Sequence, residues 1–253
     1  MGDDRLRSSE RRWRETGAPE DGRVLLVELE RAGAPTARVL RARVQVGVLP
    51  EARLRLAALL GDAAAQEALG EPPPRGALRE AVDAWVAGLG AYGPEPWPRV
   101  AVAVARLLER EFEGEAPPAP FLEEAAGLVE TLLRGGEVPV AEPLRLLDAM
   151  APDLDRRTRR VDPSLPRGRA RSCAIYAARA VAEVAALLAE GTLEPTRSAA
   201  RVATSRAVEA LIYAQTVAVE GDLGAVWDDL RVAAEARVRA AVQRTLLPWA
   251  LGS

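Results

Sequence analysis

The chain has no histidine, no lysine and no asparagine, and a single cysteine, Cys173. Each absence removes a class of chemistry. Without histidine there is no Ser-His-Asp or Cys-His constellation and no histidine-ligated zinc. Without lysine there is no Schiff base and no P-loop lysine. One cysteine makes no intrachain disulfide, no Cys-rich zinc site and no iron–sulfur cluster. The patterns G-x-G-x-x-G, G-x-x-x-x-G-K-[ST], G-x-S-x-G and H-E-x-x-H are missing as well. Carboxylates, Arg, Tyr, Ser/Thr and backbone groups are what the composition leaves for catalysis, carboxylates, alone or with Mg²⁺, being the most potent of them. We assign no catalytic residue and expect no cofactor or metal.

Long apolar runs are also missing. None reaches the roughly 18 residues of a membrane span, and the best stretch, Cys173 to Ala189, is interrupted by Arg179 and Glu183. Met1 to Glu15 is charged and lacks the apolar centre of a signal peptide. Leu6 stands where a myristoylation motif needs a hydroxyl residue. These features predict a cytoplasmic protein with no membrane span. In an Ala-rich helix with no imidazole to activate it, Cys173 is expected to be a small core residue rather than a nucleophile.

What is present is a soluble-protein composition on 253 residues, 49% hydrophobic and 28% charged. Fifty residues are Ala and all 34 basic residues are Arg, the bias that GC-rich codons produce. Hydrophobic spacing predicts helix nearly everywhere. The one strand-like run, Val100 to Val104, continues at helical spacing through Leu107 and Leu108. Helices are predicted over Asp4–Thr16, Pro19–Arg31, Pro35–Val46, Pro50–Leu60 and Asp62–Leu69. Proline opens three of them, and Gly17, Gly33, Gly47, Gly61 and Gly70 fall just past their ends. After the Pro-rich stretch Glu71–Gly76 come helices over Ala77–Gly90, Trp97–Glu113, Pro120–Leu133 and Ala141–Ala151. Three long helices close the chain, over Ser172–Glu190, Pro195–Glu220 and Asp222–Leu247, with Pro248 as the stop. Narrow charged stripes on the first two of these predict that most of each faces protein.

The expected architecture is therefore all-α: stacked short helical hairpins, HEAT-like or irregular, followed by a compact Ala-rich bundle. No fixed repeat pattern recurs. The expected segments are an N-terminal short-helix module (1–70), a middle helical layer (77–151), an Arg-rich connector (152–171) and a long-helix bundle (172–253), with one compact unit as the alternative.

Charge is uneven: residues 1–150 carry a net −6 and residues 151–253 a net +3. The overall −3 argues against a general nucleic-acid binder. The basic excess gathers in Arg156, Arg157, Arg159, Arg160, Arg167, Arg169 and Arg171, and Pro152, Pro163 and Pro166 predict that this stretch is not a continuous helix. Guanidinium groups suit bidentate capture of phosphate or carboxylate. The segment is therefore a candidate anion or partner site, against the plainer reading that it pairs with the chain's own acids. Asp153, Asp155 and Asp162 lack the spacing of a calcium loop and read as turn and capping carboxylates. Glu123–Glu124 and Asp228–Asp229 are neighbours on helices, about 100° apart, and do not converge. The five tryptophans are expected mainly as large fillers and edge anchors of the core. Trp97, in Pro-Glu-Pro-Trp-Pro, is the first of them to consider as exposed and as a partner candidate.

The stretch Arg41–Asp62 with Ala68-Leu69-Gly70, and the tail Thr245–Gly252, resemble modules of Arg/Ala-rich all-helical proteins of high-GC bacteria, some of them labelled immunity proteins. The resemblance implies an all-α fold and brings no active site with it. The leading expectation is a non-enzymatic interaction or scaffold protein with a protein partner, homo-oligomerisation being open. The alternative from the resemblance is a defence-associated protein that neutralises a toxin by direct binding, its acidic N-terminal half covering a basic surface. A carboxylate- or Mg²⁺-dependent enzyme is the third.

Overall fold

A computed structural model describes residues 2–70, 81–115, 117–160, 166–216 and 223–252; side chains at 2, 3, 155–160 and 223–225 lie outside the description. The described residues are all-α: twelve α-helices, one 3₁₀ turn and no strand. The chain divides into two compact units, residues 1–78 with 246–253, and residues 79–245.

The first unit holds α1 (Gly2–Thr16), α2 (Pro19–Arg31), α3 (Thr36–Gln45), α4 (Glu51–Leu59) and α5 (Ala63–Leu69). Pro19 sits in the first turn of α2, where its missing N–H costs nothing. Asp62 caps α5, its carboxylate accepting from the Ala65 N–H at 2.7 Å. Gly70 ends the same helix in the left-handed region (φ 69°), which a side chain would strain. Leu6, Leu25, Leu26, Leu29 and Ala42 form a core against which Trp13, Val39 and Val46 pack. Gly22 lets α2 come close: a Cβ there would lie 2.4 Å from Val46 Cγ1. At the α1–α2 corner, buried Asp21 accepts from Thr16 Oγ1 at 2.6 Å and pairs with Arg12 at 2.8 Å. The tail joins this unit through Trp249, whose ring lies 4.5 Å beneath the Arg53 guanidinium.

The second unit holds α6 (Val82–Gly88), the 3₁₀ turn Leu89–Tyr92, α7 (Pro96–Glu111), α8 (Ala119–Leu133), α9 (Ala141–Arg160), α10 (Pro166–Ala189), α11 (Thr196–Thr216) and the part of α12 (Leu223–Leu251) up to residue 245. α10 is the central helix and packs on α7, α8, α9 and α11. Its buried positions include Ala170, Ala174, Ala177, Ala178, Ala182 and Ala185, and α11 adds Ala200, Ala203, Ala207 and Ala210. Side chains this small let helix axes approach toward ~8 Å, the close end of the usual range. Packing against four neighbours accounts for the apolar character of α10, which is long and apolar enough to cross a membrane and has 56% of that window buried inside the protein. Val100 to Val104 is buried on every side of α7, so its alternation of Val and Ala is not the two-faced pattern of a strand.

Two predicted breaks are helical. α9 continues through Pro152 to Arg160, and α12 through Pro248 to Leu251. In each case the proline and the residue four before it, Asp148 or Arg244, are exposed. Water can serve the carbonyl that loses its N–H partner there. The Arg-rich stretch is thus helix up to Arg160 and again from Pro166. Asp162 and the rest of 161–165 lie outside the described residues.

Candidate functional site: an arginine–aromatic seam on α10 and α11

Arg169, Cys173 and Tyr176 recur at helical spacing on α10, and Arg206, Glu209 and Tyr213 do so on α11. The two helices run antiparallel, and the two stripes meet. The Arg169 guanidinium lies 5.6 Å over the Tyr213 ring. Tyr213 meets Trp227 edge to face, with centroids 5.6 Å apart and planes at 63°. One turn along, Cys173 Sγ donates to Glu209 Oε2 at 3.5 Å, and Arg206 donates to the same oxygen at 2.7 Å. The Arg206 guanidinium then lies 5.5 Å over Tyr176, a ring that is 36% exposed. The Arg179–Glu183 ion pair extends the row along α10.

Charge is balanced within the seam. The bond to Glu209 raises the pKa of Arg206. Burial, and then the Glu209 charge, pushes the Cys173 thiol up to about 12. Cys173 is 8% exposed and stays a thiol at neutral pH, so it is not a thiolate nucleophile. Among the described residues no three Cys, Asp or Glu gather as metal ligands. Glu123, Glu124, Asp228 and Asp229 are exposed on their helices.

Of the three singled-out arginines whose side chains are described, Arg167, Arg169 and Arg171, only Arg169 joins this seam. Arg167 and Arg171 lie one helical turn apart and both bond Glu115, Arg167 also covering the Phe112 ring at 5.4 Å. Those two are paired with the chain's own acid. The side chains of Arg156, Arg157, Arg159 and Arg160 lie outside the described residues. Trp97, the tryptophan considered as a partner contact, is a core residue. It is 1% exposed, because Pro96 and Pro98 occupy the first turn of α7 instead of forming a loop. Its ring packs at Gly90, where a Cβ would come within 2.8 Å of it, and beneath Arg197 at 5.7 Å.

Six guanidinium–ring contacts occur among the described residues, including Arg239 over Trp85 at 4.9 Å. A chain of this length ordinarily carries about three. With no lysine, every cation is a flat group that stacks well on rings. The seam, missed in the sequence, had that signal: an Arg followed by a Tyr seven residues on, Arg169 and Tyr176 then Arg206 and Tyr213, on consecutive helices. No family model matches the chain, and no curated protein or solved structure matches it either.

Proposed function

We propose that this chain is a non-enzymatic helical protein that acts by binding another protein, with the seam of α10, α11 and the start of α12 as the contact surface. The observation that carries the reading is the grouping of exposed Arg169 and Tyr176 with half-buried Arg206, Tyr213 and Trp227 in mutually packed pairs. Tyr, Trp and Arg are the side chains that dominate binding energy at protein interfaces. Stacking on one another also holds them in place before a partner arrives, which lowers the entropy lost on association. The buried, un-ionised thiol of Cys173 supports a binding role over a covalent one.

The test is affinity capture from the cells that make the protein, comparing wild type, Tyr176→Ala/Trp227→Ala, and a control changed at exposed Val24 and Leu144. Wild type and control should retain the same partner, and the seam variant should lose it by about ten-fold or more. Undiminished capture by the seam variant would refute the reading.

A further inference from the structure

A cleft of about 250 Å³ lies between α7 and α12 within the second unit. Three arginines line it: Arg106 and Arg110 from α7, and Arg244 from α12. They differ in state. Arg106 is fully engaged, its Nε and one terminal nitrogen gripping both oxygens of Glu130 at 3.0 and 2.9 Å, the other terminal nitrogen bonding Glu109 at 2.7 Å. Among the described residues, Arg110 and Arg244 have no hydrogen bond, ion pair or ring contact. No carboxylate among the described residues lines the cleft itself, Glu109 and Glu130 lying behind Arg106. Most arginines of this acid-rich chain find a carboxylate, a carbonyl or a ring, so two unpaired guanidiniums in one cleft stand out. Each repels the other, and a bound anion would convert that repulsion into attraction. The rest of the lining includes Leu107, Ala103 and Ala241, an apolar wall that would take the body of a ligand.

We propose that this cleft binds a small phosphate-type dianion, held by Arg110 and Arg244 over the fixed guanidinium of Arg106. Two forks facing a compact cleft suit the several oxygens of a tetrahedral dianion better than a single carboxylate. The apolar wall gives room for a small organic group on one oxygen. The site shares no residue with the α10–α11 seam, so either proposal can fail without the other.

Titration calorimetry of the full chain in low-salt buffer tests it, with inorganic phosphate and phenyl phosphate as probes. Saturable 1:1 binding is expected, weakened about ten-fold or more in Arg110→Gln/Arg244→Gln and less in Arg110→Lys, which keeps the charge and loses the fork. Tighter binding of phenyl phosphate identifies a phosphomonoester as the natural class; equal binding identifies free phosphate. Both substituted residues are exposed, and unchanged circular dichroism confirms the fold of the variants. Absence of saturable binding of both probes, or equal affinity in the double variant, overturns the proposal.

Discussion

Changing Gly22 to alanine should destabilise the first unit, although alanine is the better helix former. Gly22 lies inside α2, where Ala for Gly ordinarily gains about 1 kcal/mol. Here the new methyl would meet Val46 Cγ1 at 2.4 Å, Val46 Cγ2 at 3.0 Å and Trp13 Nε1 at 3.2 Å. Both Val46 methyls face the intruder, and a β-branched side chain at a helix end has few rotamers to escape into. Overpacking of this kind costs about 1–3 kcal/mol, so the net effect is a loss of roughly 0–2 kcal/mol. Gly127 is the control. It lies inside α8 with nothing within 4 Å of its would-be Cβ, so Gly127→Ala should stabilise the second unit by about 1 kcal/mol. Urea unfolding followed by circular dichroism gives each shift as a change in midpoint at constant slope. The decisive measurement repeats Gly22→Ala in a Val46→Ala background, where both obstructing methyls are gone and the substitution should become stabilising. The double-mutant cycle then isolates the contact. If Gly22→Ala stabilises wild type as much as Gly127→Ala does, the close approach of α2 to Val46 is refuted.

Two further outcomes follow from the second unit. The Cys173 thiol, held un-ionised up to about 12 in the fold against an ordinary 9.0, contributes stability that is complete below pH 9. That contribution is lost as pH rises toward 12, because the unfolded chain ionises first. Cys173→Ala should flatten the alkaline limb of a stability–pH curve relative to wild type, and identical limbs would contradict the assignment. Trp97→Ala removes a ring buried among α7 neighbours and beneath Arg197 and should cost about 3–5 kcal/mol in thermal or urea unfolding; a cost under about 1 kcal/mol would mean the ring is not core.

The helices of the first unit were legible because their signals are local. α2 runs over Pro19–Arg31 as the spacing predicts, since proline at its start and glycine after its end act on the backbone within one turn. The prolines at 152 and 248 misled for a reason that is not local. Whether an interior proline ends a helix depends on what serves the carbonyl four residues back, and at Asp148 and Arg244 that is solvent. Trp97 misled in the same way, because a proline-rich flank reads as loop until the packing around it is known. The Arg cluster was visible as composition, but its division between Glu115 on one side of α10 and Tyr213 on the other depends on which helices flank α10. Half of the seam could be read from each helix separately; that the halves meet required the antiparallel register of α10 and α11.

The alanine-lined contact of α10 with α11 bears on how this unit can move. Leucine or methionine cores absorb a displacement by changing rotamers, and so dissipate it. Alanine has no rotamers to change. At the alanine positions a displacement of α10 against α11 would therefore be carried by the backbones themselves, as one helix sliding along its neighbour. The small-residue surface that brings α10 close to its neighbours makes it a stiff rod on a smooth track.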